Sequence, residues 1–222
     1  MSICQQVSDA VYSGQTADVL SLLDKALAEG VSPQDIIDLG LSPGMEAVGR
    51  DFKANILFVP EVLIAARAMN EGLSALKPLL LGGQSRSAGK IVLGTVRGDL
   101  HNIGKNLVSI MWQAAGFDII DLGVDVPADD FVKAVKRHSP HILALSALLT
   151  TTMREVGVIL KALDGAGLRR SVKVMVGGAP VTERFVREVG ADGYAPDAAT
   201  AVDEARKLIP ACAACEGEGG LQ

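Results

Sequence analysis

Asp99-Leu100-His101-Asn102-Ile103-Gly104 decides how this chain is read. It follows an apolar run, Ile91-Val92-Leu93-Gly94-Thr95-Val96, short enough for a buried strand. It precedes a segment, 105–115, whose apolar residues recur at helical spacing. Asp99 and His101 therefore sit in a strand-to-helix loop, at the carboxyl end of a strand, where open α/β sheets bind their ligands. A histidine two residues after an aspartate can give one ring nitrogen to the carboxylate and turn the other outward. That arrangement orients metal-ligating histidines. One Asp near one His in a loop also occurs with no ligand at all, so the neighbouring segments carry the decision.

Downstream of residue 90, short apolar runs at 91–96, 117–122, 142–146 and 172–177, and a weaker one at 192–194, alternate with helical stretches, the last spanning 197–208. Such alternation predicts a parallel sheet covered on both faces and joined by right-handed crossovers. A flavodoxin-like strand order, 2-1-3-4-5, is the expectation by analogy.

Upstream the pattern is different. Residues 1–81 hold no convincing period-2 run, and their apolar residues recur at three and four. Gly14-Gln15 breaks a first helix, and a second runs over 16–29. Ser32-Pro33 starts a third, carrying Ile36, Ile37, Leu39 and Gly40, which Pro43-Gly44 either interrupts or kinks. Pro60 opens a long fourth helix with a stripe of Val62, Leu63, Ala66, Met69, Leu73 and Leu76. The expected unit is a small antiparallel bundle. A Gly- and Ser-rich stretch at 82–89 reads as a linker to the α/β unit at 90–210, and 211–222 as a disordered tail.

Composition bounds the function. The chain has 222 residues, 49% hydrophobic and 21% charged, which suits a globular protein with a sizeable core. A net charge of -5 and no basic stripe argue against nucleic acid as the main partner. No signal-like segment and no run long enough to span a bilayer is seen, so no membrane partner is expected and a cytoplasmic location is. Cys212 and Cys215 have the spacing of half a zinc site or a redox pair, but no second cluster lies near them in sequence, and a frayed terminus with exposed thiols is the expected reading. His138 and His141 flank Pro140 at the opposite end of the sheet from the ligand loops and read as surface residues.

Three further motifs accompany the opening stretch: Ser146-Ala147-Leu148 after the third strand, Thr152 six residues past that serine, and Gly177-Gly178 after the fourth. Asp-x-His-x-x-Gly, Ser-x-Leu and Gly-Gly, in this order and spacing, resemble the cobalamin-binding domain that takes B12 base-off with histidine on cobalt. The stretches 43–52 and 57–61 are similar to the helical cap preceding that domain in corrinoid methyltransferase proteins, including methionine synthase. The resemblance spans about 15–208.

The resemblance implies a corrinoid methyl carrier. His101 would be the cobalt ligand, Asp99 would hold its other nitrogen, and Thr152 would complete the relay; a helix N-cap role for Thr152 is compatible with that. Leu100, Asn102, Ile103 and Gly104 would frame the loop. Ser146, Leu148 and Thr150 would line the slot for the nucleotide tail, and Gly177 and Gly178 would let that tail pass close to the backbone, although a double glycine after a strand also serves a tight turn. Val124 to Pro127 would border the corrin edge. Phe52 and Val59 would shield the upper corrin face, or else belong to the bundle core, with Phe58 mainly packing. The implied activity is a shuttle between Co(I) and methyl-Co(III), from a methylamine, betaine or methyl ether donor to an acceptor such as a tetrahydropterin or thiol. Its implied partners are a substrate:corrinoid methyltransferase, a methylcorrinoid:acceptor methyltransferase and a reductive activase. The chain would then be a component of an enzyme system rather than a complete enzyme. The alternative is a B12-sensing regulatory module, which such an acidic chain suits less well.

Overall fold

The computed structural model describes residues 1–79 and 87–209. Cys212, Cys215, the expected tail and most of the expected linker lie outside the described residues. Helices α1 (Ile3–Tyr12), α2 (Thr16–Ala28), α3 (Pro33–Ile36), α4 (Ser42–Lys53) and α5 (Val59–Leu76) form the first unit. Ser2 and Ser32 cap α1 and α3, and Glu61 accepts the Phe58 N–H at 2.9 Å at the start of α5. Pro43 does not break the third helical segment. A π turn over Ile37–Leu41 joins α3 to α4, with the Ser42 N–H bonded to the Ile37 carbonyl. The wider turn absorbs the ring that a regular helix would force against the carbonyl four residues back. It also turns Leu39 outward, 61% exposed, where the spacing placed it on the apolar face.

The second unit alternates as expected: β1 (Gly89–Thr95), α6 (Ile103–Ala114), β2 (Phe117–Asp121), α7 (Ala128–His138), β3 (Ile142–Ser146), α8 (Arg154–Gly165), β4 (Lys173–Gly177), α9 (Glu183–Val189), β5 (Gly193–Tyr194) and α10 (Ala198–Leu208). All neighbouring pairs are parallel, in the order β2-β1-β3-β4-β5. Alternate residues of each strand fill two cores. Val92, Leu143 and Val174 pack under α7 and α8 with Phe131 and Ile159. Ile91, Leu93, Ala144 and Met175 face α6 and α10, and this core is continuous with that of the first unit through Met111, Met45 and Met69.

Trp112 joins the two helices on that face. It is buried, and its ring N–H donates to the Ala201 carbonyl at 2.9 Å. Among the described residues no helix is long and apolar enough to cross a membrane. At the amino edge of the sheet, His141 Nδ1 accepts the Lys90 N–H at 3.0 Å and the His138 carbonyl accepts Lys90 Nζ at 3.3 Å. Both histidines are thus far from the loops at the carboxyl end, as their position in sequence indicated.

Candidate functional site

Asp99 closes a turn in which its own N–H reaches the Val96 carbonyl. The loop after β2 braces this turn: Asp125 accepts the Gly98 N–H at 2.6 Å, and its own N–H donates to the Asp99 carbonyl at 3.0 Å. The segment 124–127 therefore supports the histidine loop from outside and forms no part of the cavity wall described below.

The Asp99 carboxylate is fully buried, and five donors converge on it. Oδ2 accepts from the N–H groups of Leu148 (2.7 Å) and Leu149 (3.3 Å) and from the Thr152 hydroxyl (3.0 Å). Oδ1 accepts from the His101 N–H (3.1 Å) and lies 2.7 Å from His101 Nδ1. Burial by itself pushes this carboxyl up. The bonds from Leu148, His101 and Thr152 outweigh that and hold it at about 2. Asp99 is consequently ionised at neutral pH and can only accept, so the proton of the His101 ring sits on Nδ1. Nε2 is left as a lone-pair donor on a ring that is half exposed.

Thr152 sits just before α8, whose N-cap residue is Met153. Its hydroxyl also lies 2.9 Å from the Leu149 carbonyl. The expected order histidine, aspartate, hydroxyl is present in space.

His101 stands at the mouth of a cavity of about 500 Å³ between α6 and α10, above the carboxyl half of the sheet. Its floor is one row across three strands: Leu93 pairs in register with Ala144, and Ala144 with Met175. Ala198 and Ala201 of α10 form one side and Leu107 and Val108 of α6 the other, with Trp112 closing the end. Small side chains in the middle of the floor and along α10 keep the space open. The lining is mostly apolar with a few polar groups at the rim, as in sites for sizeable organic cofactors.

Of the residues singled out from sequence, Phe52, Leu100, His101, Asn102, Ile103, Gly104, Ser146, Leu148, Gly177 and Gly178 are brought to this cavity. Val59 and Thr150 are not on its wall and are exposed to solvent. Phe58 does not pack: it is 62% exposed, because the chain is still extended there before α5 begins. A side chain on Gly104 would meet nothing within 4 Å, so its absence keeps the mouth wide. Gly178 has a different reason. Its φ is +135°, and a Cβ would lie 1.9 Å from the Ala147 carbonyl oxygen, so the turn after β4 requires glycine with or without a ligand. Sequence reading missed Leu93, Trp112, Ala144, Met175 and Ala201, although the alanine-rich face of α10 signals a helix that leaves room beside it.

Among the described residues no three His, Cys, Asp or Glu side chains converge to hold a bare metal ion. His101 offers one ligand only, which suits a metal already chelated by its own macrocycle.

Residues 89–203 match the family model described as B12 binding domain, and residues 3–77 match a second model of the same description. The dimethylamine corrinoid protein 3 of Methanosarcina acetivorans is 44% identical over 207 residues, 93% of this chain and 97% of that protein. The trimethylamine corrinoid protein 1 of the same organism is 41% identical over 93% of this chain and 97% of its own length. Among solved structures, a chain of the methanol:cobalamin methyltransferase complex MtaBC from Methanosarcina barkeri superposes with a TM-score of 0.84 at 33% identity, covering 93% of this chain and 79% of that one. A cobalamin-binding protein from Desulfitobacterium hafniense gives 0.79 at 33% identity, covering 93% and 98%.

Proposed function

Because the chain belongs to the B12-binding corrinoid proteins, carrying a corrinoid for methyltransferases, we propose that it takes that corrinoid base-off with His101 on cobalt and accepts its methyl group from a methylamine-specific methyltransferase. The cofactor supplies the cobalt centre on which the methyl group travels, and the protein supplies placement and electrostatics. The observation that carries the reading is the His101 ring at the cavity mouth, with Nδ1 fixed to a fully buried carboxylate and Nε2 free.

The cavity between α6 and α10 takes the displaced nucleotide tail. Ser146 offers a hydroxyl at its rim, and Gly104 leaves the entrance clear. Phe52, on the cavity wall from the last turn of α4, shields the corrin from water. Asp99 and Thr152 would hold the proton on Nδ1 and so leave Nε2 as the atom offered to the metal. The methylamine class is supported by 44% and 41% identity to dimethylamine and trimethylamine corrinoid proteins, and, within the structural comparison, by 38% identity to a monomethylamine corrinoid protein against 33% to the methanol complex. Residues 1–81 act as a cap over the cofactor unit at 90–210. A second methyltransferase would take the methyl group, and a reductive activase, with an electron from an external donor, would return cobalt oxidised to Co(II) to Co(I).

The test is anaerobic reconstitution with methylcobalamin, parent beside His101→Ala. A bound, base-off spectrum with nitrogen coordination that disappears in the variant supports the assignment. A parent that releases cobalamin, or identical spectra, would overturn it. Dimethylamine and methanol methyltransferases then separate the donor classes by which one methylates the reduced protein.

A further inference from the structure

Thr95 ends β1 and is completely buried. By the alternation of the strand it shares a face with Ile91 and Leu93, which pack among aliphatic side chains beneath α6. A hydroxyl on such a face is costly without a partner. Its partner is the carbonyl of His101, to which Thr95 Oγ1 donates at 3.0 Å.

The backbone of Thr95 is itself fixed by the loop after β2. Its N–H donates to the Gly123 carbonyl at 2.9 Å, and its carbonyl accepts the Val126 N–H at 3.0 Å. On its other side, His101 gives its N–H to Asp99 Oδ1 at 3.1 Å. Both backbone polar groups of His101 are therefore tied to fully buried side chains on rigid supports. The ring itself is held through Nδ1, 2.7 Å from the same Asp99 Oδ1, so backbone and side chain of His101 rest on one set of buried anchors.

We propose that Thr95 is a positioning residue for the cobalt ligand: its hydroxyl pins the His101 carbonyl, so that the loop stays ordered and presents the ring, held against Asp99, to the metal. This rests on His101 being that ligand. Thr95 is not on the cavity wall and acts only through His101. With the carbonyl released, the loop must be ordered each time the ring binds, and that ordering is charged against the cofactor. One such bond corresponds to a loss of about five-fold in corrinoid affinity.

The experiment uses the full chain as parent, Thr95→Val, Thr95→Ser and His101→Ala. Cob(II)alamin electron paramagnetic resonance reads nitrogen coordination directly, difference spectra give the methylcobalamin dissociation constant, and amide hydrogen exchange of residues 100–104 is followed in the apo protein. The expected result is a folded Thr95→Val variant with faster exchange at 100–104, about five-fold weaker binding and a smaller nitrogen-coordinated fraction. Thr95→Ser restores all three. Thr95→Ala makes the same comparison if the valine variant does not fold.

Parent-like exchange and binding in a folded variant lacking the hydroxyl would overturn the proposal. So would a serine variant as impaired as the valine one, since that would assign the effect to packing. Retained nitrogen coordination in His101→Ala would instead remove the ligand assignment on which the proposal stands, and so separates the two failures.

Discussion

Replacing Asp99 by Asn tests the centre of the site, because the amide has the shape of the carboxylate but only one accepting atom. Two orientations are open to it. With its oxygen toward Leu148, Leu149 and Thr152, three of the five donors keep their acceptor, and the amide nitrogen faces the His101 N–H and Nδ1. The His101 N–H is then orphaned, while Nδ1 can accept from the amide only by passing its proton to Nε2. With the oxygen toward His101 the tautomer survives, but the Leu148 N–H, bonded at 2.7 Å in the parent, meets a donor.

The first orientation keeps more bonds and is the expected one. Its cost is one orphaned donor at about 1–3 kcal/mol plus the weakening of the surviving bonds from charged to neutral acceptor, together about 3 kcal/mol. The chemical consequence is larger than the energetic one, because a proton on Nε2 occupies the lone pair needed by the metal. Urea unfolding of the apo variant measures the first, and ¹⁵N NMR of the His101 ring reads the tautomer. An Asp99→Asn variant within about 0.5 kcal/mol of the parent, with the proton still on Nδ1, would refute the reasoning.

The same carboxylate predicts an acid limb to stability. Its folded value is about 2 against an ordinary 3.8, so its contribution, about 2 kcal/mol, is fully present above pH ~4 and lost as the pH falls toward ~2. Denaturation of the apo protein across that window measures it, and Asp99→Asn is expected to show a shallower slope there. Gly178→Ala, with its Cβ 1.9 Å from the Ala147 oxygen and φ at +135°, is expected to cost more than about 3 kcal/mol or to prevent folding, read by thermal unfolding. Gly104→Ala is expected to behave in the opposite way. Its Cβ meets only open space and it lies in the first turn of α6, so the apo protein gains up to about 1 kcal/mol while corrinoid affinity falls. Unchanged affinity in that variant would show that the cavity mouth does not carry the cofactor.

The sheet was legible because parallel strands buried on both faces leave continuous apolar runs, and the runs at 142–146 and 91–96 are matched by β3 and β1 to within two residues. The triad of Asp99, His101 and Thr152 was legible because a motif fixes residue types at the ends of strands, and the parallel register brings those ends together: Thr95 pairs with Ser146, and Ser146 with Gly177. The cavity floor was not legible for the complementary reason. Leu93, Ala144 and Met175 are ordinary strand residues singly, and only their shared row turns them into one surface. Phe58, exposed where packing was expected, shows the limit of spacing at a helix start. Pro60 marks where α5 begins, but which residue before it faces inward depends on the extended turn held by Glu61, a tertiary detail. Thr95 stands between these cases. A hydroxyl in the third place of an Ile91, Leu93, Thr95 face breaks an apolar pattern, and a polar group on a buried face must have a partner. The sequence therefore contains the sign that something is held there, and it takes the fold to show that what is held is the backbone of His101.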